Sequence, residues 1–182
     1  MERNMDFKES RTYKNLQTAF AGESQARVKY QFFASRAKKD GYEQIAEIFT
    51  ETSDNEKEHA KIWYKLMNDG VGDTKENLQL AIEGEDYEYT EMYKEFAKVA
   101  REEGFEEIAT KFEQVGNIEK EHEDRYKKLL KNIDEDVVFK GDEVTVWKCR
   151  NCGYITVGDK APEVCPVCDH PQSFFEKRIV NF

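Results

Sequence analysis

The segment IAEIFTETSDNEKEHAKIWYKL, residues 45–66, places Ile45, Phe49, Thr52, Glu56, His59, Trp63 and Leu66 at alternating steps of four and three. That spacing is one face of an α-helix turned toward other helices. The face is apolar at both ends and carries Glu-x-x-His in its middle. Sixty-three positions later, residues 108–129 repeat it as Ile108, Phe112, Val115, Glu119, His122, Tyr126 and Leu129. Just upstream, Phe33-Ala34 matches Phe96-Ala97 and Gly41-Tyr42 matches Gly104-Phe105 at the same offset. An internal repeat of this length implies two related helix pairs.

Outward from these segments, residues 1 to about 132 lack proline and are rich in strong helix formers. Helices are expected at 10–39, 42–68, 75–103 with a break near Gly84, and 105–132, with Gly41, Gly70 and Gly104 as stop signals. Four long helices with short joints imply a bundle. Tyr30 matches Tyr93 at offset 63, but Gly22-Glu23 matches Gly84-Glu85 at offset 62. One extra residue therefore sits between Glu85 and Tyr93, and a continuous helix accommodates it as a π-bulge.

Every helix brings a carboxylate to its inward face. The first presents Leu16, Phe20, Glu23 and Tyr30; the third presents Ile82, Glu85, then Glu88 or Tyr89, and Met92. A buried, unpaired carboxylate costs several kcal/mol, so four or five together require cations. Basic residues on these faces are too few, with Arg27, one turn beyond Glu23, the main candidate. A metal centre resolves the conflict. One Glu from each of two helices plus Glu-x-x-His from each of the other two suits a di-iron or di-manganese site. Glu88, one turn beyond Glu85, is preferred to Glu91 as an additional ligand. Tyr30 and Tyr93 are either core aromatics or hydrogen-bond donors to ligand carboxylates.

All three prolines and all four cysteines lie in the tail. From Ile133 to Trp147 the pattern turns to β-branched residues and a Lys140-Gly141-Asp142 turn, a linker into a small sheet. The expected domains are 1–140 and 141–182. Cys149-x-x-Cys152 and Cys165-x-x-Cys168 together close four thiolates on one metal, zinc for a structural knuckle or iron for a one-electron relay. Tyr154, Trp147, Phe174 and Phe175 are expected to keep that site dry. His170 is expected as a loop residue, because four sulfurs already complete the set.

The net charge of −10 argues against nucleic acid and anionic lipid as partners, while 12 Phe, 9 Tyr and 2 Trp argue for a folded core. No apolar run approaches the roughly 18 residues of a membrane span, and the start, Met1 to Phe7, lacks a signal-peptide core. Cysteines clustered for metal fit a reducing compartment. The cytoplasm is therefore expected.

With Gly22-Glu23, the two Glu-x-x-His motifs, Gly84-Glu85-Asp86-Tyr87-Glu88 and the C-x-x-C pair assembled, the chain resembles the rubrerythrins from end to end. The resemblance implies a mainly α fold: a ferritin-like four-helix bundle with two irons, followed by a small, β-rich rubredoxin-like Fe(Cys)4 domain. It implies a peroxidase reducing hydrogen peroxide to water, protecting against oxidative stress. Glu23, Glu56, His59, Glu85, Glu88, Glu119 and His122 match the family's iron ligands, Glu56 and Glu119 bridging; Tyr30 and Tyr93 match its ligand-supporting tyrosines. Cys149, Cys152, Cys165 and Cys168 match the ligands of the third iron, which zinc can replace. Two departures from free-standing rubredoxin are a shorter spacer between Cys152 and Cys165, as in other rubrerythrins, and Asp169 where glycine commonly follows the last cysteine.

Five carboxylates balance two ferric ions better than two ferrous ones, so one iron is expected to exchange Glu88 for neutral His59 on reduction, as the family does. The expected donor is a redox protein such as rubredoxin or its reductase, drawing on NAD(P)H through separate carriers. A homodimer, head-to-tail or helix-swapped, is expected to bring the Fe(Cys)4 centre of one chain to its partner. The competing expectation is a ferritin-like ferroxidase with a structural zinc ribbon.

Overall fold

The computed structural model describes residues 6–180. Met1 to Met5, most of the start tested above for a leader, lie outside the described residues. The helices are α1 (Arg11–Lys39), α2 (Glu43–Asn68), α3 (Thr74–Tyr87), α4 (Tyr93–Glu102) and α5 (Glu106–Asp134), with a π-helical segment, Glu88–Met92, joining α3 to α4. Strands β1 (Lys140–Cys149), β2 (Ile155–Lys160) and β3 (Phe175–Lys177) follow. Tertiary contacts group the chain into two compact units, up to Gly72 and from Asp73.

The first unit is the antiparallel hairpin α1–α2. Ser10 caps α1 by accepting from Tyr13 N–H at 3.0 Å. The helix ends where Gly41 takes φ +84° and Tyr42 N–H returns to Ala37 C=O at 2.9 Å. The residues buried at the helix contact are small: Ala34 and Ala37 on α1, and Ala46, Ser53 and Ala60 at seven-residue spacing on α2. Small side chains let the two backbones approach, and Ser53 Oγ donates to Arg27 C=O at 3.0 Å.

The second unit repeats the device. Phe105 N–H returns to Ala100 C=O at 2.7 Å beside Gly104 at φ +86°. Ala97 and Ala100 pack against Ala109, and Gly116 and Glu123 continue its seven-residue stripe along α5. A Cβ on Gly116 would stand 3.2 Å from Tyr93 Cβ, so glycine there is set by close approach. The expected break near Gly84 does not occur. An Asp73–Glu76 capping box opens α3, which passes through Gly84 without interruption. The irregularity falls four residues later, where Tyr93 N–H bonds Glu88 C=O five residues back. That is the π-bulge expected from the change of offset.

The inward faces are less buried than their spacing suggested. Ile45, Leu66, Ile108 and Leu129 each stay about half exposed, because a single hairpin covers only the small residues along its contact line.

The linker is shorter than expected. The α5 helix runs to Asp134, Val137 N–H closes its end on Asn132 C=O at 2.9 Å, and Lys140 already pairs with Lys160 in the sheet. Lys140-Gly141-Asp142 is therefore strand rather than turn, its register with β2 shifting between Lys140 and Thr145. The sheet is antiparallel, ordered β2-β1-β3. Trp147, Cys149, Ala161, Cys165 and Phe175 form its core, joined by Phe139 and Tyr154, and Trp147 Nε1 donates to Gly158 C=O at 3.0 Å. Phe174 is not part of that shell. It packs edge-on against His170 at 4.4 Å and stays partly exposed, because the short 3₁₀ turn at Gln172–Phe174 carries it outward.

Candidate metal centres

In the first unit, one turn of helix separates Glu56 from His59 and places both on the same face of α2. His59 Nδ1 lies 2.8 Å from Glu56 Oε2 and 3.8 Å from Glu23 Oε2, contributed by α1. One ligand atom from each of the three lies within 4.8 Å of the others. In the second unit, His122 Nδ1 lies 2.8 Å from Glu119 Oε2 and 3.6 Å from Glu85 Oε2. This triad converges in the same way. The carboxylates are the sheltered members, Glu119 being 13 % exposed, whereas His59 is half exposed.

Burial raises the Glu85 carboxyl above its usual range, and the neighbouring Glu119 charge adds to the rise, opposed by His122. Two carboxylates thus crowd one imidazole, and among the described residues neither pairs with a lysine or arginine. Arg27, the main basic candidate on the inward faces, makes no ion pair among the described residues. Its backbone carbonyl takes the Ser53 hydroxyl, and its side chain lines a groove that none of the triad lines. Hard oxygen and imidazole donors with uncompensated negative charge fit a divalent or trivalent cation of the iron or manganese kind.

Glu88 opens the π-helical segment and belongs to neither triad, though its charge is felt by Glu85 and Tyr93. Tyr30 packs with Phe33 and Phe49 at 6.1 Å each, and Tyr93 packs with Phe96 and Phe112 at 6.3 and 6.0 Å. The two aromatic clusters are repeat copies of one another. Among the described residues, neither hydroxyl donates to a ligand carboxylate. Burial first, then the Glu88, Glu119 and Glu85 charges, push the Tyr93 hydroxyl above its ordinary pKa.

The third centre is built from two matching backbone knuckles. Cys149 N–H bonds Tyr154 C=O at 2.8 Å and Gly153 N–H bonds Cys149 C=O at 2.9 Å; Cys165 N–H bonds His170 C=O at 2.8 Å and Asp169 N–H bonds Cys165 C=O at 3.0 Å. Gly153 and Asp169 occupy the same left-handed position, φ +79° and +57°. The sulfur pairs Cys149–Cys168 and Cys152–Cys165 are each 3.7 Å apart. A tetrahedron with metal–sulfur bonds of about 2.3 Å has edges of about 3.8 Å, so the thiols are spaced for one ion. Backbone bonding at Tyr154 favours the Cys152 thiolate, but burial and the other sulfurs outweigh it and push this thiol up to about 12. Burial opposes the Cys168 thiolate, yet bonding from His170 and Asn151 brings it down to about 6. His170 stays outside the set, its Nδ1 2.9 Å from Cys168 C=O.

Sequence reasoning missed the buried carboxylate of Glu123, held by Lys120 at 3.3 Å and by Lys127. Its signal was the stripe Ala109, Gly116, Glu123, which repeats Ala46, Ser53, Ala60 with one acid added.

A family model described as Rubrerythrin matches residues 14–130, and one described as Rubrerythrin, rubredoxin-like domain matches residues 147–176. Rubrerythrin of Porphyromonas gingivalis is 48 % identical, with 100 % of this chain and 96 % of that protein aligned. Rubrerythrin of Nitratidesulfovibrio vulgaris is 48 % identical over 96 % of this chain and 98 % of its own. Among solved structures, nigerythrin in a partially reduced state is 31 % identical, covering 98 % of this chain and 92 % of that one, with a TM-score of 0.36. No helix of the described residues is long and apolar enough to cross a membrane. Two carboxylate–histidine triads, a four-thiol site and both family matches on one chain lead to one assignment: the chain belongs to the rubrerythrin family, ferritin-like di-iron proteins with a rubredoxin-like domain.

Proposed function

We propose that this chain reduces hydrogen peroxide to water at a di-iron site, with electrons delivered one at a time through the Fe(Cys)4 centre. The observation that carries this reading is the co-occurrence of two matching Glu–Glu–His triads with a tetrathiolate site on one chain. Hard donors suit metals that react with oxygen species, and four thiolates suit one-electron transfer. When bound, the iron pair supplies the two electrons that cleavage of the O–O bond requires.

The ligands divide by position. Glu56 and Glu119 would serve as the central carboxylates, Glu23 and Glu85 as the outer ones, and His122 as the constant imidazole, together supplying hard donors to the metals. Glu88 and His59 would be alternative donors: a fifth carboxylate suits the higher charge of oxidised metals, and a neutral imidazole suits the lower charge of reduced ones. Glu88 is then the carboxylate free to hold a proton for the departing water. The Tyr30–Phe33–Phe49 and Tyr93–Phe96–Phe112 clusters pack the adjoining turns, and the tyrosine hydroxyls would orient ligand carboxylates when metal is bound.

The domain division at 140/141, a homodimer, a cytoplasmic setting and a rubredoxin-type donor linked to NAD(P)H belong to the same reading. Metal analysis with a visible spectrum, on protein made with iron available, tests it together with peroxide consumption under a chemical reductant. Colourless, zinc-loaded protein, or mineral accumulation under excess ferrous ion without peroxide turnover, would reject it.

A further inference from the structure

The internal repeat pairs each residue of α2 with one of α5, and among the residues buried on these two helices one pair of copies differs in charge. On α5 the carboxylate of Glu123 is enclosed, 2 % exposed, between Lys120 and Lys127. Sixty-three residues earlier, Lys120 corresponds to Lys57, Glu123 to Ala60 and Lys127 to Tyr64. The α1–α2 hairpin therefore keeps a lysine of the carboxylate's cradle and lacks the carboxylate. In its place is a largely apolar groove of about 450 Å³.

The groove's walls and rim differ in character. Phe20, Val28, Ala60 and Tyr64 form the apolar surface, Phe20 and Tyr64 in ring contact at 5.8 Å. Arg27, Lys57 and Lys61 supply three positive charges, and among the described residues no Asp or Glu lines the groove. Arg27 is half-buried and without an ion pair among the described residues. Lys57 and Lys61 reach only the exposed Glu58, at 3.6 and 3.5 Å, distances at which a solvated pair contributes little. A half-buried guanidinium beside an apolar wall is a strong donor site for a carboxylate. The volume lies within the range of small-molecule sites. Glu23, Glu56 and His59 are not among its lining residues.

We propose that this groove binds a small amphipathic carboxylate, an aliphatic or aryl acid. Its carboxylate sits with Arg27 and Lys57, where the repeat copy carries its own acid, and its apolar body lies against Phe20, Val28 and Tyr64. Octanoate titrated into the full chain, followed by calorimetry and by the methyl resonances of Val28 and Val71, tests this. The expected result is one saturable site per chain, with octanol, the same tail without charge, at least about ten-fold weaker. Ala60→Glu restores the repeat's own carboxylate and is expected to abolish octanoate binding. Should that variant fail to fold, Arg27→Gln is expected to weaken octanoate about ten-fold while leaving octanol unchanged. Lack of saturation at millimolar octanoate, equal binding of octanol, or octanoate binding unaffected by Arg27→Gln overturns the proposal. So does an octanoate-dependent fall in sedimentation mass, which would identify a second copy of the chain as the occupant.

Discussion

Asp169 shows how one residue adapts a metal knuckle. It holds φ +57° at the position where its repeat, Gly153, holds +79°. Non-glycine residues enter that region at a cost that Asp pays less heavily than most. Asp169→Gly is therefore expected to stabilise the strand-rich module by about 0.5–1 kcal/mol, read from the temperature at which thiolate–metal absorbance is lost. Glu123 is the counterpart in the helices. Its carboxyl is held below the usual range chiefly by the Lys127 hydrogen bond, opposed by burial, with Lys120 assisting. A depressed native pKa contributes stability that is present above the ordinary carboxylate pKa and lost as pH falls through the depressed value. Glu123→Gln is expected to unfold earlier than the parent at neutral pH, the two curves converging in acid. A gap that persists at low pH would mean that Glu123 contributes shape rather than charge.

At the scale of elements, the π-helical segment matters most. A single inserted residue between Glu85 and Tyr93 is absorbed over Glu88–Met92, which returns Tyr93 to register with its aromatic partners on α5 while Glu85 keeps its place beside Glu119 and His122. Deleting Thr90 is expected to convert the segment to continuous α-helix. Helicity by circular dichroism and the tetrathiolate colour should be retained, with iron content at the carboxylate site and peroxide turnover reduced. Unchanged iron content and turnover would remove any role for the bulge in placing Glu88. The insertion was legible because the repeat offset changes from 62 to 63, a count that needs no coordinates. The break placed near Gly84 failed for a physical reason: a lone glycine weakens a helix by only about 1 kcal/mol, which packing along α5 outweighs.

At the scale of the whole molecule, the proposed function requires two kinds of metal site to serve one reaction. Cys149→Ser removes a ligand from the tetrathiolate and leaves both triads intact. Turnover driven by an external reductant is expected to cease, while one round of oxidation by peroxide of chemically reduced protein survives, measured by stopped-flow absorbance. Undiminished steady-state turnover would reject the relay. The helical class, the two Glu–Glu–His groupings and the four-thiol grouping were legible because each rests on local spacing: 3.6 residues per turn aligns Glu-x-x-His, and two C-x-x-C knuckles bring four sulfurs together. The sequence by itself determined which side chains share a helix face and the helix stops at Gly41, Gly70 and Gly104. Tertiary structure alone decided that small residues line the helix contacts, that Phe174 leaves the thiolate shell for His170, and that Arg27 faces an apolar groove instead of the acids. These outcomes turn on close approach between segments distant in the chain, and such distances are set by packing, which periodicity along one helix does not encode.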